Sequence, residues 1–196
     1  MDTDDPSAEL DRIIRDRRIT IVLQPIFDPS RSRIVAYEAL TRGPEDSPLH
    51  SPLALFEAAA AEERLPELDR LCLSEAMEHF VELDLPGQLF LNITPVALAR
   101  FVAFGPSLES IAAEVGLDPV RVVMEVTEDG VTADVSQLRR AVANLRQSGV
   151  GFAIDDLGAG FAGLRLWAEL RPDYVKIDRY FVSRLHEDAT RVEFVR

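Results

Sequence analysis

The chain has 196 residues, of which 47% are hydrophobic and 28% charged, a composition typical of a globular domain that can bury a core. The formal net charge of −13 argues against polymeric nucleic acid as a partner, because DNA- and RNA-binding surfaces carry a basic stripe. The charged N-terminus has no apolar core for export and no stretch is apolar enough to span a membrane, so the cytoplasm is the expected location.

The first predicted elements are a polar lead-in helix over residues 7–18 and two strands over residues 19–27 and 34–40. Only residues 28–33 separate the two strands, whereas a parallel crossover needs about a dozen residues or more. The two strands, if neighbours, must therefore be antiparallel. We treat residues 1–18 as a lead-in segment and residues 19–196 as one domain.

The rest of the chain alternates apolar strands with amphipathic helices. Ser51-Pro52 has the residue types preferred at the start of a helix. Helices are predicted at residues 52–64, 66–83, 108–115, 134–148 and 163–170, and strands at 88–93, 121–126, 151–154 and 174–177. This alternation predicts a parallel sheet covered by helices. A closed eight-stranded barrel typically needs ~250 residues, so the sheet is either open or part of a truncated barrel.

Polar side chains stand at the ends of five predicted strands, where the active sites of such folds are built. They are Glu38, Asn92, Glu125, the pair Asp155 and Asp156, and Lys176 with Asp178. A single carboxylate at a strand end is often solvated or caps the next helix, and a lysine there is often a surface charge. Their recurrence on five strands favours one shared site.

Clustered carboxylates stay ionised only when cations lie among them. Ligands that offer oxygen, without histidine or cysteine, favour Mg²⁺ or Mn²⁺. The adjacent Asp155 and Asp156 suit a two-metal centre for phosphoryl chemistry. Lys176 would assist the attacking water, and Arg42 would hold a phosphate.

Six ordered motifs resemble those of the EAL-domain phosphodiesterases, which hydrolyse cyclic di-GMP to linear pGpG. The resemblance extends from about residue 19 to the last residue. The motifs are Gln24-Pro25-Ile26, Glu38-Ala39-Leu40 with Arg42, Asn92-Ile93-Thr94-Pro95, Glu125-Val126-Thr127-Glu128, Asp155-Asp156-Leu157-Gly158-Ala159-Gly160 and Lys176-Ile177-Asp178.

The resemblance implies an α/β fold, a modified TIM-type barrel with an antiparallel first strand. It also implies a role for each matching residue. The metal ligands would be Glu38, Asn92, Glu125, Asp155 and Asp156, with the last two serving the second ion. The catalytic group would be Lys176, which orients the water, supported by Asp178 and by Glu128, which steadies the loop after the Asp-Asp strand. The substrate contacts would be Gln24, Leu40 and Arg42.

This sequence departs from the family pattern in three ways. Leu23 replaces a tyrosine, and Leu157 and Ala159 replace phenylalanine and threonine in the loop that couples metal binding to dimerisation in the family. Homodimerisation is therefore an open expectation. The family also continues to a further metal-binding glutamate and a glutamine that contacts guanine, which have no counterpart here. We therefore expect a barrel that is incomplete at its C-terminus. The sequence would belong to a longer polypeptide with further domains, or a partner chain would complete the barrel. These residues alone are expected to hydrolyse cyclic di-GMP slowly or not at all.

Three alternative functions stay open at this point. The domain could be a catalytically impaired receptor for cyclic di-GMP. A barrel lyase with a Schiff base on Lys176 would fit the lysine but not the paired aspartates. An interaction role for the helices between residues 52 and 83 has no support beyond ordinary amphipathicity.

Overall fold

The computed structural model describes residues 6–104, 108–127, 135–158 and 163–195. The chain divides into two compact units. The first comprises Met1–Leu91 and Leu108–Arg121, and the second comprises Asn92–Ser107 and Val122–Arg196. Both units contain strands and helices, as the alternating pattern predicts.

The elements follow the predicted order. The strands are β1 (Thr20–Asp28), β2 (Arg33–Arg42), β3 (Gln88–Asn92), β4 (Val122–Thr127), β5 (Gly151–Leu157) and β6 (Tyr174–Ile177). The helices are α1 (Pro6–Arg15), α2 (Pro52–Ala61), α3 (Leu65–Glu82), α4 (Pro95–Phe104), α5 (Leu108–Val115), α6 (Val135–Gln147), α7 (Gly163–Leu170), α8 (Arg179–Val182) and α9 (Ala189–Val195). None of the helices described in these ranges has the length and apolar character needed to cross a membrane.

Strands β1 and β2 of the first unit form an antiparallel hairpin, which confirms the prediction from their short connection. Asp28 starts the turn, because its Oδ1 accepts hydrogen bonds from the amides of Ser30 (2.8 Å) and Arg31 (3.2 Å). The register places Gln24 opposite Glu38. On its other edge β2 pairs with β3 in parallel, so the direction of the sheet changes after the first strand.

The core of the first unit lies between α1, α2 and α3. Its buried side chains include Leu10, Ile13, Leu55, Ala59 and Leu68. The start of α2 is as predicted, since Ser51 Oγ accepts a hydrogen bond from the amide of Ala54 at 3.2 Å and Pro52 is the first helical residue. Helix α1 contributes two fully buried side chains to this core. The predicted boundary between residues 18 and 19 stays a prediction.

Strands β4, β5 and β6 of the second unit are parallel neighbours. Every residue of β4 except the last is buried, which is typical of a strand in a parallel α/β sheet. Helix α6 presents one apolar face at helical spacing. The buried residues of that face are Leu138, Ala141, Val142 and Leu145.

Strands β4 and β5 continue past their predicted ends, to Thr127 and Leu157. The reason is that backbone pairing persists beyond the apolar run, with Thr127 opposite Asp155. Asp155 and Asp156 therefore lie inside β5, and the prediction that they follow its end is corrected, whereas Glu125 lies inside β4 and also inside the strand predicted at 121–126. A side chain inside a paired strand has a direction fixed by the ladder, which is a better position for a ligand than a loop.

Gly87→Ala is expected to lower the free energy of unfolding by about 2 kcal/mol or more. Gly87 has a φ of +85°, and a Cβ there would overlap the carbonyl oxygen of Val35. Gly116→Ala is the matched control, because its φ is +76° and none of the described atoms lies within 4 Å of the added Cβ. Urea unfolding should show a clearly smaller loss for the control. Equal losses would contradict the role of the Val35 contact.

Candidate metal centre

Glu125 is a charged residue in the interior of the second unit, with an exposed fraction of 0%. Burial raises the pKa of Glu125 to about 8, and its hydrogen bond with Asp155 acts in the same direction, while the contact with Lys176 lowers it. A carboxyl group removed from water gives up its proton only where a cation offsets the lost hydration of the carboxylate. The position is therefore costly for an anion unless positive charge is close.

Lys176 supplies one such charge from β6. Its Nζ donates a hydrogen bond to Glu125 Oε1 and lies 3.2 Å from Asp155 Oδ2. The three residues come from three adjacent strands, so strand pairing sets their separations. Once Glu125 is ionised, one ammonium faces two carboxylates, and the resulting net negative charge at this edge of the sheet favours binding of a further cation.

A hydrogen-bond partner is missing for one oxygen of this cluster. Within the described residues, Glu125 Oε2 is buried and accepts no hydrogen bond. Buried polar atoms are nearly always paired, so such an exception calls for an explanation, of which an ion is one. Glu125 and Asp155 each offer a carboxylate oxygen, and these lie within 4.8 Å of each other. Oxygen donors at this spacing fit Mg²⁺ or Mn²⁺.

The two adjacent aspartates have different environments. Asp155 is half-buried, whereas Asp156 is exposed and has a φ of +54°. The amide of Asp156 donates a hydrogen bond to Asp155 Oδ1 at 2.8 Å. The register of β5 against β6 shifts between Ile154 and Leu157, at the same place. The two carboxyl groups thus differ in burial at the place where the ladder is irregular.

Asn92 is exposed at the end of β3. The amide of the next residue, Ile93, donates a hydrogen bond to the carbonyl oxygen of Glu125 at 2.9 Å. Residues 92 and 93 therefore run directly beside Glu125. The structure thus brings together, in one region of the second unit, Asn92, Glu125, Asp155 and Lys176.

Asp178 acts locally as a helix cap. Its Oδ1 accepts a hydrogen bond from the amide of Tyr180 at 2.7 Å, which makes it the N-cap of α8. Its own amide donates a hydrogen bond to the carbonyl oxygen of Leu157 at 3.2 Å. A supporting role at the site, which the sequence predicts for Asp178, stays a prediction. Glu128, the other residue predicted to support the site, lies outside the described residues.

The remaining predicted site residues belong to the first unit. Glu38, Leu40 and Arg42 alternate along β2, so all three lie on one face of the strand, and each is half-buried. Gln24 is exposed on β1. Nη1 of Arg42 donates a hydrogen bond to the carbonyl oxygen of Thr41 at 2.8 Å. The metal role of Glu38 and the substrate roles of the other three residues stay predictions.

Residues 7–196 match the family described as the EAL domain. The chain belongs to the EAL-domain family. The resemblance carried by the six motifs is thereby confirmed, and with it the fold class, an α/β architecture of the modified TIM-barrel type.

Two curated relatives are similar over most of the chain. The blue light- and temperature-regulated antirepressor BluF of Escherichia coli is 32% identical over 175 residues, which cover 88% of this chain and 42% of BluF. The cyclic di-GMP phosphodiesterase NbdA of Pseudomonas aeruginosa is 27% identical over 192 residues, covering 96% of this chain and 24% of NbdA. This EAL chain thus spans less than half the length of either relative.

A solved EAL structure, BlrP1 of Klebsiella pneumoniae, has the same fold. It superposes with a TM-score of 0.79 at 33% identity, covering 91% of this chain and 44% of BlrP1. BlrP1 has been solved in complex with manganese and cyclic di-GMP, and also with calcium and cyclic di-GMP. The fold of this chain is therefore shared by a protein that has been solved with divalent cations.

Sequence patterns do not single out two residues that contact β5 and the residue that follows it. Asp173 joins the start of β6 to β5, since its Oδ2 accepts a hydrogen bond from the amide of Phe152 at 2.9 Å and its amide donates to the carbonyl oxygen of Phe152 at 2.8 Å. An acidic residue before a strand is a visible signal for such a link. Phe181 packs against Gly158, and no sequence signal announces that contact.

Proposed function

We propose that this EAL domain binds two divalent cations, Mg²⁺ or Mn²⁺, and hydrolyses cyclic di-GMP to linear pGpG. The observation that carries the proposal is the fully buried Glu125, which has one unpaired oxygen and lies beside Asp155 and Lys176 in the described residues. Support for the substrate comes from the names of two relatives, a cyclic di-GMP phosphodiesterase and a cyclic di-GMP complex.

The proposed metal ligands are one amide and four carboxylates. They are Asn92, Glu38, Glu125, Asp155 and Asp156. Bound cations would stabilise negative charge on the phosphoryl oxygens and lower the pKa of a bound water. All of these ligands offer oxygen, and Glu125 lies within β4.

The reaction breaks one of the two phosphodiester linkages. A water oxygen bonds to phosphorus, the bond from phosphorus to a ribose 3′ oxygen breaks, and a proton from water ends on that oxygen. Lys176 donates a hydrogen bond to one proposed ligand, and we propose that its ammonium donates to the attacking water or to the charged oxygens. Asp178 and Glu128 are proposed to support this arrangement.

Arg42→Ala is expected to raise the KM for cyclic di-GMP by about 10- to 100-fold with a smaller effect on kcat, because a guanidinium–phosphate hydrogen bond contributes roughly 1.5–3 kcal/mol. Gln24 and Leu40 are the other proposed substrate contacts. Arg33→Ala is the matched control, since Arg33 is an exposed arginine at the opposite end of the same strand. Steady-state kinetics with Mn²⁺ measure both variants. An unchanged KM for Arg42→Ala would remove the residue from the substrate site.

Product analysis tests the proposed function. Cyclic di-GMP is incubated with Mn²⁺ and the natural polypeptide that carries this sequence, and the nucleotides are separated by chromatography. The expected result is pGpG that appears only with metal and is lost on chelation. Intact cyclic di-GMP after long incubation, in a protein shown to bind the metal, would contradict hydrolysis.

A second candidate function is reception of cyclic di-GMP without turnover. It is favoured by the identity of 32% to BluF, whose name describes an antirepressor. Calorimetry with cyclic di-GMP and Ca²⁺ measures binding separately from chemistry. Binding without formation of pGpG in Mn²⁺ would favour the receptor.

The proposed compartment is the cytoplasm, in keeping with a nucleotide messenger as the ligand. Homodimerisation and the presence of further domains stay predictions from the resemblance. Gel filtration with light scattering measures the first of these directly.

A further inference from the structure

The segment Asp155–Gly158, which carries both adjacent aspartates, has an unusual backbone. Asp156 has a φ of +54° and Gly158 a φ of +102°. Such conformations are unfavourable for most residues, and a segment containing two of them needs contacts from elsewhere to keep it in one geometry. Within the segment, the amide of Asp156 donates a hydrogen bond to Asp155 Oδ1 at 2.8 Å.

Part of the external support comes from the start of α8. The amide of Asp178 donates a hydrogen bond to the carbonyl oxygen of Leu157 at 3.2 Å. Asp178 also caps α8, and its carbonyl oxygen accepts a hydrogen bond from the amide of Phe181 at 3.0 Å. The position of Phe181 is therefore set by the same residue that pairs with the segment.

The ring of Phe181 returns to the segment and fills the space beside Gly158. A Cβ on Gly158 would overlap Cε2 of this ring and lie 3.0 Å from its Cδ2. Contact this close between a ring and a glycine backbone leaves room for a Cβ at residue 158 only if the ring moves. It also limits the conformations that residues 155–158 can adopt.

The ring is supported in turn by α9. Tyr180 packs edge-on against Phe181, with ring centroids 5.3 Å apart. The guanidinium of Arg191 lies 4.4 Å from the centroid of Tyr180 and donates hydrogen bonds to the carbonyl oxygens of Tyr180 (2.9 Å) and Ser183 (2.8 Å). A continuous series of contacts thus joins α9 to the aspartate segment.

We propose that Phe181 is a positioning residue of the metal centre: its contact with Gly158 holds residues 155–158 in the conformation that presents Asp155 and Asp156 to the cations. The inference rests on the proposed function, because it assigns the two aspartates to metal. Residues that orient metal ligands commonly change metal affinity by about 10- to 100-fold when they are removed.

Mn²⁺ calorimetry on the 196-residue chain tests the proposal with paired variants. Phe181→Ala is expected to weaken Mn²⁺ binding by about 10-fold or more. Val182→Ala, at the exposed neighbour in α8, should leave it unchanged within about 2-fold. Phe181→Leu retains part of the contact, so its Mn²⁺ affinity should lie between those of the two alanine variants. It replaces Phe181→Ala if that variant fails to fold.

A double-mutant cycle with Gly158→Ala separates positioning from general destabilisation. With Phe181 present, the added methyl group meets the ring, so Gly158→Ala should weaken Mn²⁺ binding by about 10-fold or more. In the Phe181→Ala background the ring is absent and only the strain of an alanine at a φ of +102° remains, so the same change should cost less. Equal losses in the two backgrounds would overturn the proposal.

Amide hydrogen exchange in metal-free protein gives a readout independent of metal binding. Phe181→Ala should speed exchange of the Asp178 amide by about 10-fold or more, because that amide binds Leu157 and opens when the segment moves. If the Asp178 amide exchanges faster in Phe181→Ala but the wild type binds no Mn²⁺, the contact between Phe181 and Gly158 orders the segment and the metal function is refuted. Unchanged exchange and unchanged Mn²⁺ affinity would refute the positioning role.

Discussion

Glu125→Gln is expected to abolish detectable Mn²⁺ binding and hydrolysis of cyclic di-GMP. The substitution keeps the size of the side chain and its hydrogen bond from Lys176, but it removes the negative charge and the buried oxygen that a cation would bind. Loss of a charged ligand from a buried site is among the largest single effects on metal affinity. Calorimetry and product analysis measure the two losses.

Glu109→Gln is the control for this substitution, since Glu109 is an exposed glutamate in α5. It should bind Mn²⁺ and turn over cyclic di-GMP as the wild type does. Retention of Mn²⁺ binding by Glu125→Gln, within about 3-fold of the control, would show that the cation lies elsewhere.

The stability of metal-free Glu125→Gln gives an independent check through pH. The pKa of Glu125 is raised from 4.5 to about 8 in the folded chain, so the folded state retains a proton that the unfolded state releases. Stability of the wild type should therefore fall as pH rises from about 4.5 to about 8, and this contribution should be absent in Glu125→Gln. Chemical unfolding across that window, with chelator present, measures the difference. Parallel pH profiles would contradict a buried, protonated Glu125.

Lys176→Met is expected to lower kcat by about 10²- to 10⁴-fold, the usual contribution of a group that assists proton movement or stabilises developing charge. Metal affinity should be kept or raised, because the ammonium that contacts Glu125 and Asp155 no longer competes with the cations for them. The two effects distinguish a metal ligand from a catalytic group. Substitution of a metal ligand would abolish metal binding, whereas substitution of Lys176 should lower turnover and keep metal binding.

Lys176→Arg tests whether charge alone is sufficient. The planar guanidinium is larger and cannot deprotonate, so we expect kcat to remain at least about 10-fold below that of the wild type. Normal turnover by Lys176→Met would remove Lys176 from the mechanism.

The hairpin and the strand order follow from simple sequence features. The link of residues 28–33 is too short for a parallel crossover, and the antiparallel pairing of β1 with β2 follows from that alone. The approach of Asn92, Glu125 and Asp155 also follows from their occurrence near the ends of parallel strands. These features are local or depend on a general rule of sheet geometry.

The pairing of Lys176 with Glu125 and Asp155 is beyond sequence reasoning. The lysine and Glu125 are 51 residues apart, and the contact depends on strand register and on the shift in the β5–β6 ladder. Sequence patterns assign one residue to water and the other to metal, whereas the structure shows the two side chains in direct contact. The continuation of β5 through Asp156 was missed for the same reason, since pairing with a distant strand extends it beyond its apolar run.

The contact between Phe181 and Gly158 illustrates a second limit. In the sequence, Gly158 is typical of a turn residue, and Phe181 is typical of an apolar residue in a terminal helix. Their proximity arises from the cap at Asp178, which turns the chain back toward β5. The contact between Gly158 and Phe181 is visible only in the three-dimensional structure.

Anomalous diffraction from crystals of this chain grown in MnCl₂ tests the central claim most directly. The account predicts a manganese peak about 2.1–2.3 Å from carboxylate oxygens of Glu125 and Asp155, with Lys176 moved away from at least one of them. A structure with manganese bound only to other residues, and with Lys176 still paired to both carboxylates, would contradict it.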